Sequence, residues 1–390
     1  FNLDIEESLK ENVSYQNLVD MLTFDRVDFE KNISLSTKKK VKIESKWDIV
    51  KLGNIVDVLD EKRVPISKRD RFSGDYPYYG ATGIIDYIDK YIFDEKLILI
   101  GEDGAKWGAN ENSSFAVEGK YWVNNHAHVL KPKRNIVLDK FIIEILNKLD
   151  LSFYITGSNV PKLNQGNLKE IKIPLPPKNI QQKIVSEIEK LEKQEEKTFE
   201  EIEVLKKDIS IRIKSLTSNS KKNLGDIAEN WDNKRKPVTK GDRTKGKYPY
   251  YGASGIVDYV SDFLLNDTVL LISEDGANLK SRVYPIAFTA SGKIWVNNHA
   301  HILKFENNAT HKLVELYINQ MDISEYITGQ AQPKLNQNNL NNIKIPLPTI
   351  EQQEKIVKEI YKIEIKINTL EKQIAEIPKL KEAILKKYLE

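Results

Sequence analysis

The chain has 390 residues, with 60 Lys and Arg against 57 Asp and Glu, a net charge of +3 and no cysteine. That length suits two to three domains, and the missing cysteines exclude a disulfide framework, thiolate metal sites and a cysteine nucleophile. No run of about 18 apolar residues is available to span a bilayer, and no basic-then-apolar leader opens the chain, so a cytoplasmic protein with no membrane partner is expected.

In chain order, residues 1–46 combine helical spacing at Leu18, Val19 and Leu22 with the run Lys38-Lys39-Lys40, which predicts a short helix and a linker. A first domain is predicted over 47–178. Its β-branched and aromatic stretches, Ile84-Ile85-Asp86-Tyr87-Ile88 and Leu97-Ile98-Leu99-Ile100, read as strands between Gly-rich turns. Phe141, Ile142, Ile145, Leu146 and Leu149 follow helical spacing before a loop over 157–167. Pro174, Pro176 and Pro177 then close the domain.

A helix is predicted next, over 179–217, where Ile184, Ile188, Leu191, Ile202, Leu205, Ile209 and Leu216 step at heptad-like intervals between Lys and Glu. A second domain follows at 218–350 and a second helix at 351–390, with Ile356, Ile360, Ile363, Ile367, Leu370, Ile374 and Ile377 alternating four and three. A helix of about 37 residues is about 55 Å long and needs a partner for such a stripe. The economical partner is the other helix, giving an intramolecular antiparallel coiled coil with pseudo-twofold symmetry and an α+β fold overall. Pro378 is expected to kink or break the second helix.

The two domains are one unit written twice. Tyr76-Pro77-Tyr78-Tyr79-Gly80 returns as Tyr248-Pro249-Tyr250-Tyr251-Gly252, and Glu102-Asp103-Gly104-Ala105 as Glu274-Asp275-Gly276-Ala277. Val123-Asn124-Asn125-His126-Ala127-His128 returns as Val296-Asn297-Asn298-His299-Ala300-His301, and Pro161-Lys162-Leu163-Asn164-Gln165 as Pro333-Lys334-Leu335-Asn336-Gln337. Short solenoid repeats run at roughly 20 to 50 residues, so this longer period marks duplicated domains.

Catalytic signatures are missing: there is no phosphate loop, no dinucleotide-binding glycine pattern and no nucleophile elbow. His126 with His128, and His299 with His301, sit at a spacing that places both on one face of a strand, but a third metal ligand is only a guess at Glu102 or Asp103, and no metal is expected. Glu102-Asp103 and Glu274-Asp275 would serve as acid and base, although their glycine flanks favour a tight turn.

The basic residues are more telling. Lys62, Arg63, Lys68, Arg69 and Arg71 precede the first aromatic motif, and Lys234, Arg235, Lys236 and Arg243 stand in the matching cluster before the second. With Tyr78, Tyr79, Tyr250 and Tyr251 beside them, and Lys162, Asn164, Lys334 and Asn336 on the later loop, they suit a polyanion whose phosphates fix register. The copies diverge most between 106–116 and 278–288, so base readout is expected there, from Lys106 and Asn110 in one copy and Lys280 and Arg282 in the other. Asn110 would face adenine and Arg282 guanine.

These motifs resemble the DNA-specificity subunit of type I restriction-modification systems. The likeness spans about 47–390. It rests on Tyr-Pro-Tyr-Tyr-Gly-Ala-x-Gly, on Gly-x-x-x-Pro-Lys-Leu-Asn-Gln at 157–165 and 329–337, on Ile-Pro-Leu-Pro at 173–176 and 345–348, and on the helix openings at Gln181 and Gln352. The resemblance implies two target-recognition domains separated by antiparallel helices that also dock methylase subunits, an asymmetric two-part target in double-stranded DNA, and no catalytic residues or cofactor. It further implies restriction and translocase subunits as partners. Residues 1–46, opening on Phe1, depart from the family's usual start and look more like the tail of a methylase domain fused upstream, as in type IIG enzymes. The helices alone allow another reading, a coiled-coil protein–protein adaptor without DNA readout.

Overall fold

In the computed structural model the described residues are 45–157, 160–216 and 221–390, with the backbone of two short antiparallel strands, Leu22–Phe24 and Lys31–Ile33. The helix expected around Leu18 and Val19 lies outside the described residues. Leu22, expected on it, instead opens a strand. The chain divides into two compact units, residues 1–194 with 376–390, and residues 195–375.

In the first unit the strand Leu97–Gly101 lies between Ala127–Pro132 and Ser114–Val117, with Val56–Val58 completing a four-stranded sheet. Leu97, Ile98, Leu99 and Ile100 are all fully buried. A run of four apolar residues is what a strand covered on both faces requires. Ile98 and Ile100 face a core that includes Phe141, Ile142 and Ile145 of the Asp139–Lys148 helix, whereas Leu97 and Leu99 face a second core around Phe93, Tyr121 and Val129. Burying each such side chain contributes about 1.5–3 kcal/mol. A second four-stranded sheet runs Gly83–Ile88, Ser73–Gly80, Lys120–Val123, Phe93–Asp94.

The second unit repeats this path with fewer interruptions. Leu265–Ser273 and Ala287–Val296 pair continuously from Leu265 with Ile294 to Ile272 with Ala287, so the two sheets merge into one of six strands. The alternation is kept: Leu270 and Ile272 face one core, Val269 and Leu271 the other.

The helix Lys178–Lys214 has 37 residues and the helix Ile350–Leu389 has 40. Within the second unit, Ile202, Ile209 and Ile213 pack against Val357, Ile360, Ile367 and Leu370. Glu201 pairs with Lys366 and Arg212 with Glu359, an order that makes these segments antiparallel. Within the first unit, Ile184, Val185 and Ile188 share a core with Leu385 and Leu389, and Glu187 pairs with Lys387 at 3.0 Å. Trp47 fastens this end, its Nε1 donating to the Tyr388 carbonyl at 2.7 Å. Pro378 does not break the second helix, which continues through it. The residue is exposed, so the carbonyl that its ring deprives of a donor can be hydrated.

Candidate nucleic-acid interface

The basic loop before each aromatic strand is built around a buried tyrosine. Tyr78 lies on Ser73–Gly80 with its ring in the interior. Its hydroxyl accepts from Ile66 N–H at 2.9 Å and donates back to the Ile66 carbonyl. Arg71 lays its guanidinium 4.5 Å from the Tyr78 ring centre, donates Nε to the same carbonyl at 3.1 Å, and pairs with Asp86 at 3.1 Å. Trp122 Nε1 holds the Val64 carbonyl at 2.6 Å. The second loop is clamped alike: Tyr250 binds Val238, Arg243 covers Tyr250 and pairs with Asp258, and Trp295 holds the Lys236 carbonyl.

Behind the loop lies a charged cluster that sequence reasoning missed. Asp60 accepts from His128 Nδ1 at 2.6 Å and from Val129 N–H at 3.0 Å. Arg63 reaches both Asp60 and Glu102 and donates to the Ala127 carbonyl, while Lys162 binds Glu102 from outside at 2.8 Å. Asp232, His301, Arg235, Glu274 and Lys334 repeat the arrangement. Burial alone would raise the Asp60 carboxyl, but the His128 hydrogen bond and charge, Val129 N–H and Arg63 outweigh it and hold it below the usual range. Lys162 and Arg63 do the same to Glu102 against its burial.

This geometry settles how the histidines are used. His128 is buried on its strand, with Nε2 donating to the Leu163 carbonyl at 2.6 Å. His126 stands in the preceding turn, half exposed, bonded to Asp103. The two do not converge, contrary to the expectation from strand spacing. Asp60, Glu102 and His128 do converge, within 4.8 Å of one another, as do Asp232, Glu274 and His301. A guanidinium stands among each set of carboxylates, however, and both ring nitrogens of each buried histidine are taken. Arginine thus fills the place of a cation in both copies.

The expected contact residues therefore separate into two groups. Lys62, Lys68, Arg69, Lys106, Asn110, Lys234, Lys236, Lys280 and Lys334 are exposed and Lys162 half-exposed, Arg69 to 88% of its side chain. Arg63, Arg71, Arg235 and Arg243 are committed to carboxylates and carbonyls. Tyr78 and Tyr250 are interior, and Tyr79 and Tyr251 pack against Phe115 and Phe288. Asn164 and Asn336 are helix N-caps, accepting from Asn167 N–H at 2.8 Å and Asn339 N–H at 2.9 Å. Arg282, expected to face guanine, has a left-handed backbone (φ 52) and donates to the Ile318 and Met321 carbonyls at the end of the helix Asn308–Gln320. Its guanidinium is spent on that helix end.

The divergent segments are anchored differently from one copy to the other. The first hangs on Trp107, buried with Nε1 on the Gly101 carbonyl, and the second on Arg282. Both end at an asparagine in the same repeat position: Asn147 accepts from Ser114 N–H and Asn319 from Ile286 and Ala287 N–H. A fixed frame with unlike loops is the arrangement of a duplicated recognition protein.

Comparison with known proteins agrees. The family described as "Type I restriction modification DNA specificity domain" matches residues 44–207 and again 218–379, and the chain belongs to that family. It is similar to a type I restriction enzyme specificity subunit, MjaVIII, of Methanocaldococcus jannaschii, 25% identical over 92% of this chain and 96% of that one. It is also similar to a putative type I specificity subunit of Haemophilus influenzae, 34% identical over 36% of each chain. The fold is that of the type I system S subunit from M. genitalium, with a TM-score of 0.51 at 17% identity over 90% of this chain and 98% of that one. A chain from a structure of type I complex assembly and conformational transition scores 0.53 at 14% identity, covering 90% and 99%. The chain is accordingly a sequence-specific DNA-recognition component without a catalytic role of its own. Among the described residues, no helix is long and apolar enough to cross a membrane.

Proposed function

We propose that this protein reads an asymmetric two-part target in double-stranded DNA, one half-site per repeat, and delivers that target to an adenine methylase and its restriction and translocase partners. The supporting observation is the pair of clamped basic loops, each holding exposed cations, in repeats whose segments 106–116 and 278–288 differ. Lys62, Lys68, Arg69 and Lys162 in the first copy, with Lys234, Lys236 and Lys334 in the second, meet phosphates and fix register. Lys106 and Asn110, and Lys280 with its loop neighbours, supply base preference.

In this reading the recognition domains are residues 47–178 and 218–350, and the helical segments 179–217 and 351–390 follow them in the chain. The methylase is a partner subunit or a fused domain, and the recognition role is the same in either case. A cytoplasmic location belongs to this reading, and its support is the DNA target.

Selection from random duplexes by the chain together with its methylase tests this. Enrichment of two short sequences separated by a fixed spacer is the expected result. No enrichment, with the complex intact, would leave the adaptor reading in its place.

A further inference from the structure

His126 and His299 occupy the same place in the two repeats and are held in the same way. His126 Nδ1 bonds the Asp103 carboxylate, and His299 Nδ1 bonds that of Asp275 at 2.9 Å. Neither Nε2 has a hydrogen-bond partner among the described residues, and each side chain is 51% exposed. Burial explains little of this arrangement, because half of each ring stands in water.

Three segments nonetheless fix each ring. The turn that carries it is closed by an asparagine: Asn124 Oδ1 accepts from His126 N–H and Asn297 Oδ1 from His299 N–H, both at 2.8 Å. The acidic turn is stapled to that one, with Glu102 N–H donating to the His126 carbonyl at 2.8 Å and Glu274 N–H to the His299 carbonyl at 2.9 Å. The lysine loop is stapled to the acidic turn, since Asp103 pairs its backbone with Lys162, and Asp275 with Lys334. In the second repeat these segments enclose a cavity of about 400 Å³ whose lining includes His299, Lys334, Asp275 and Gly276. The imidazole and the lysine therefore line one space.

The chemistry selects the occupant. With Nδ1 donating to a carboxylate, Nε2 is a lone-pair acceptor in the neutral ring and a second donor in the cation, so only the cation binds an anion. A phosphate within reach of the lysine Nζ on one side finds a charge-assisted donor in Nε2 on the other. Both repeats keep this pair although their divergent segments differ, which suits the sequence-independent backbone of DNA rather than a base edge. The charged groups around each ring are the carboxylate of Asp103 or Asp275, the Lys162–Glu102 or Lys334–Glu274 pair, and Arg63 or Arg235, which donates to the neighbouring Asn125 or Asn298 carbonyl. We propose that His126 and His299 bind DNA phosphates as imidazolium cations, each beside the lysine of its own repeat; this rests on the assignment of Lys162 and Lys334 to phosphates under Proposed function.

The test is the salt dependence of the full chain's affinity for mixed-sequence duplex DNA, at about pH 6 and about pH 8.5, an interval across which histidine changes charge. At the lower pH the wild-type slope should steepen by about 0.9 for each ring that takes up a phosphate, about 1.8 in all. His126→Asn keeps an amide at the Nδ1 position for Asp103 and lacks Nε2, so it should remove about half of that steepening, and the double variant with His299→Asn all of it, with thermal stability retained. The double variant His126→Gln with His299→Gln, which has an uncharged donor near the Nε2 position, should bind alike at both pH values. A wild-type slope indifferent to pH would overturn the proposal, and so would a double Asn variant that steepens as the wild type does. Binding of the Asn variants weakened by the same factor at both pH values would overturn it too, because the histidines would then only shape the surface. A wild-type slope near zero at both pH values would defeat the phosphate assignment of the lysines themselves.

Discussion

Arg69 and Arg71 carry the same charge two residues apart, yet their alanine variants should fail in opposite ways. Arg69 is 88% exposed, and its one carboxylate neighbour, Asp70, lies 3.7 Å away in solvent. Arg69→Ala should leave stability within about 0.5 kcal/mol. It should also remove one phosphate contact, lowering the salt slope of DNA binding by about 0.9, so that affinity falls about 3.5-fold less between about 50 and 200 mM salt. Arg71→Ala instead removes a hydrogen bond to the Ile66 carbonyl, a stack on Tyr78 and a partly screened pair with Asp86. Taking about 1 kcal/mol for the first and up to about 1 for the second gives about 2 kcal/mol, with nothing added for the exposed Asp86 carboxylate. Hydrogen exchange in the loop over 64–71 should then quicken roughly 30-fold, with the salt slope unchanged wherever the loop remains closed. The reasoning is refuted if Arg71→Ala lowers the salt slope while exchange stays slow, because Arg71 would then be meeting a phosphate directly.

Three further outcomes follow from the buried groups. The Asp60 and Asp232 carboxyls bind protons less readily folded than unfolded. The stability they contribute is present above their ordinary value of 3.8 and drains away as the pH falls through the lower folded value. Denaturant titrations should show the wild type losing more stability than Asp60→Asn between about pH 5 and pH 2, and equal losses would contradict the cluster. Arg282→Ala should cost about 1–3 kcal/mol by uncapping the helix that ends at Gln320, with second-half-site preference preserved in a binding selection; altered preference at full stability would mean that Arg282 reads a base. Ile360 is fully buried between the helices of the second unit, so Ile360→Ala should cost about 2–5 kcal/mol by calorimetry, and a neutral result would deny the seam.

Much of this architecture is legible in the sequence because periodicity and repetition report geometry directly. The heptad steps through Ile360, Ile367 and Leu370 mark the helix seam, and the buried run Leu97–Ile100 marks a central strand. The use of each cation is less visible. Arg63 and Arg69 look alike as letters in one basic cluster, but of the two partners that bury Arg63, Asp60 and Glu102, the second lies 39 residues away along the chain. A signal was present: Asp60 with Asp232, and Asn147 with Asn319, occupy matching repeat positions, and what a duplication keeps is first of all its frame. Pro378 does not end the helix, for a physical reason: a proline on a solvated helix face costs one hydrogen bond that water can replace.

The central claim is that each repeat reads its own half-site through exposed residues of its divergent segment. It is tested most directly by sequencing methylated adenines in DNA from cells carrying the methylase and the chain with Lys106→Ala and Asn110→Gly, the latter because φ 62 at Asn110 suits glycine. The account predicts that one half of the methylated motif relaxes while the other half and the spacer are unchanged. Relaxation of both halves, or of neither at normal methylation levels, would contradict it.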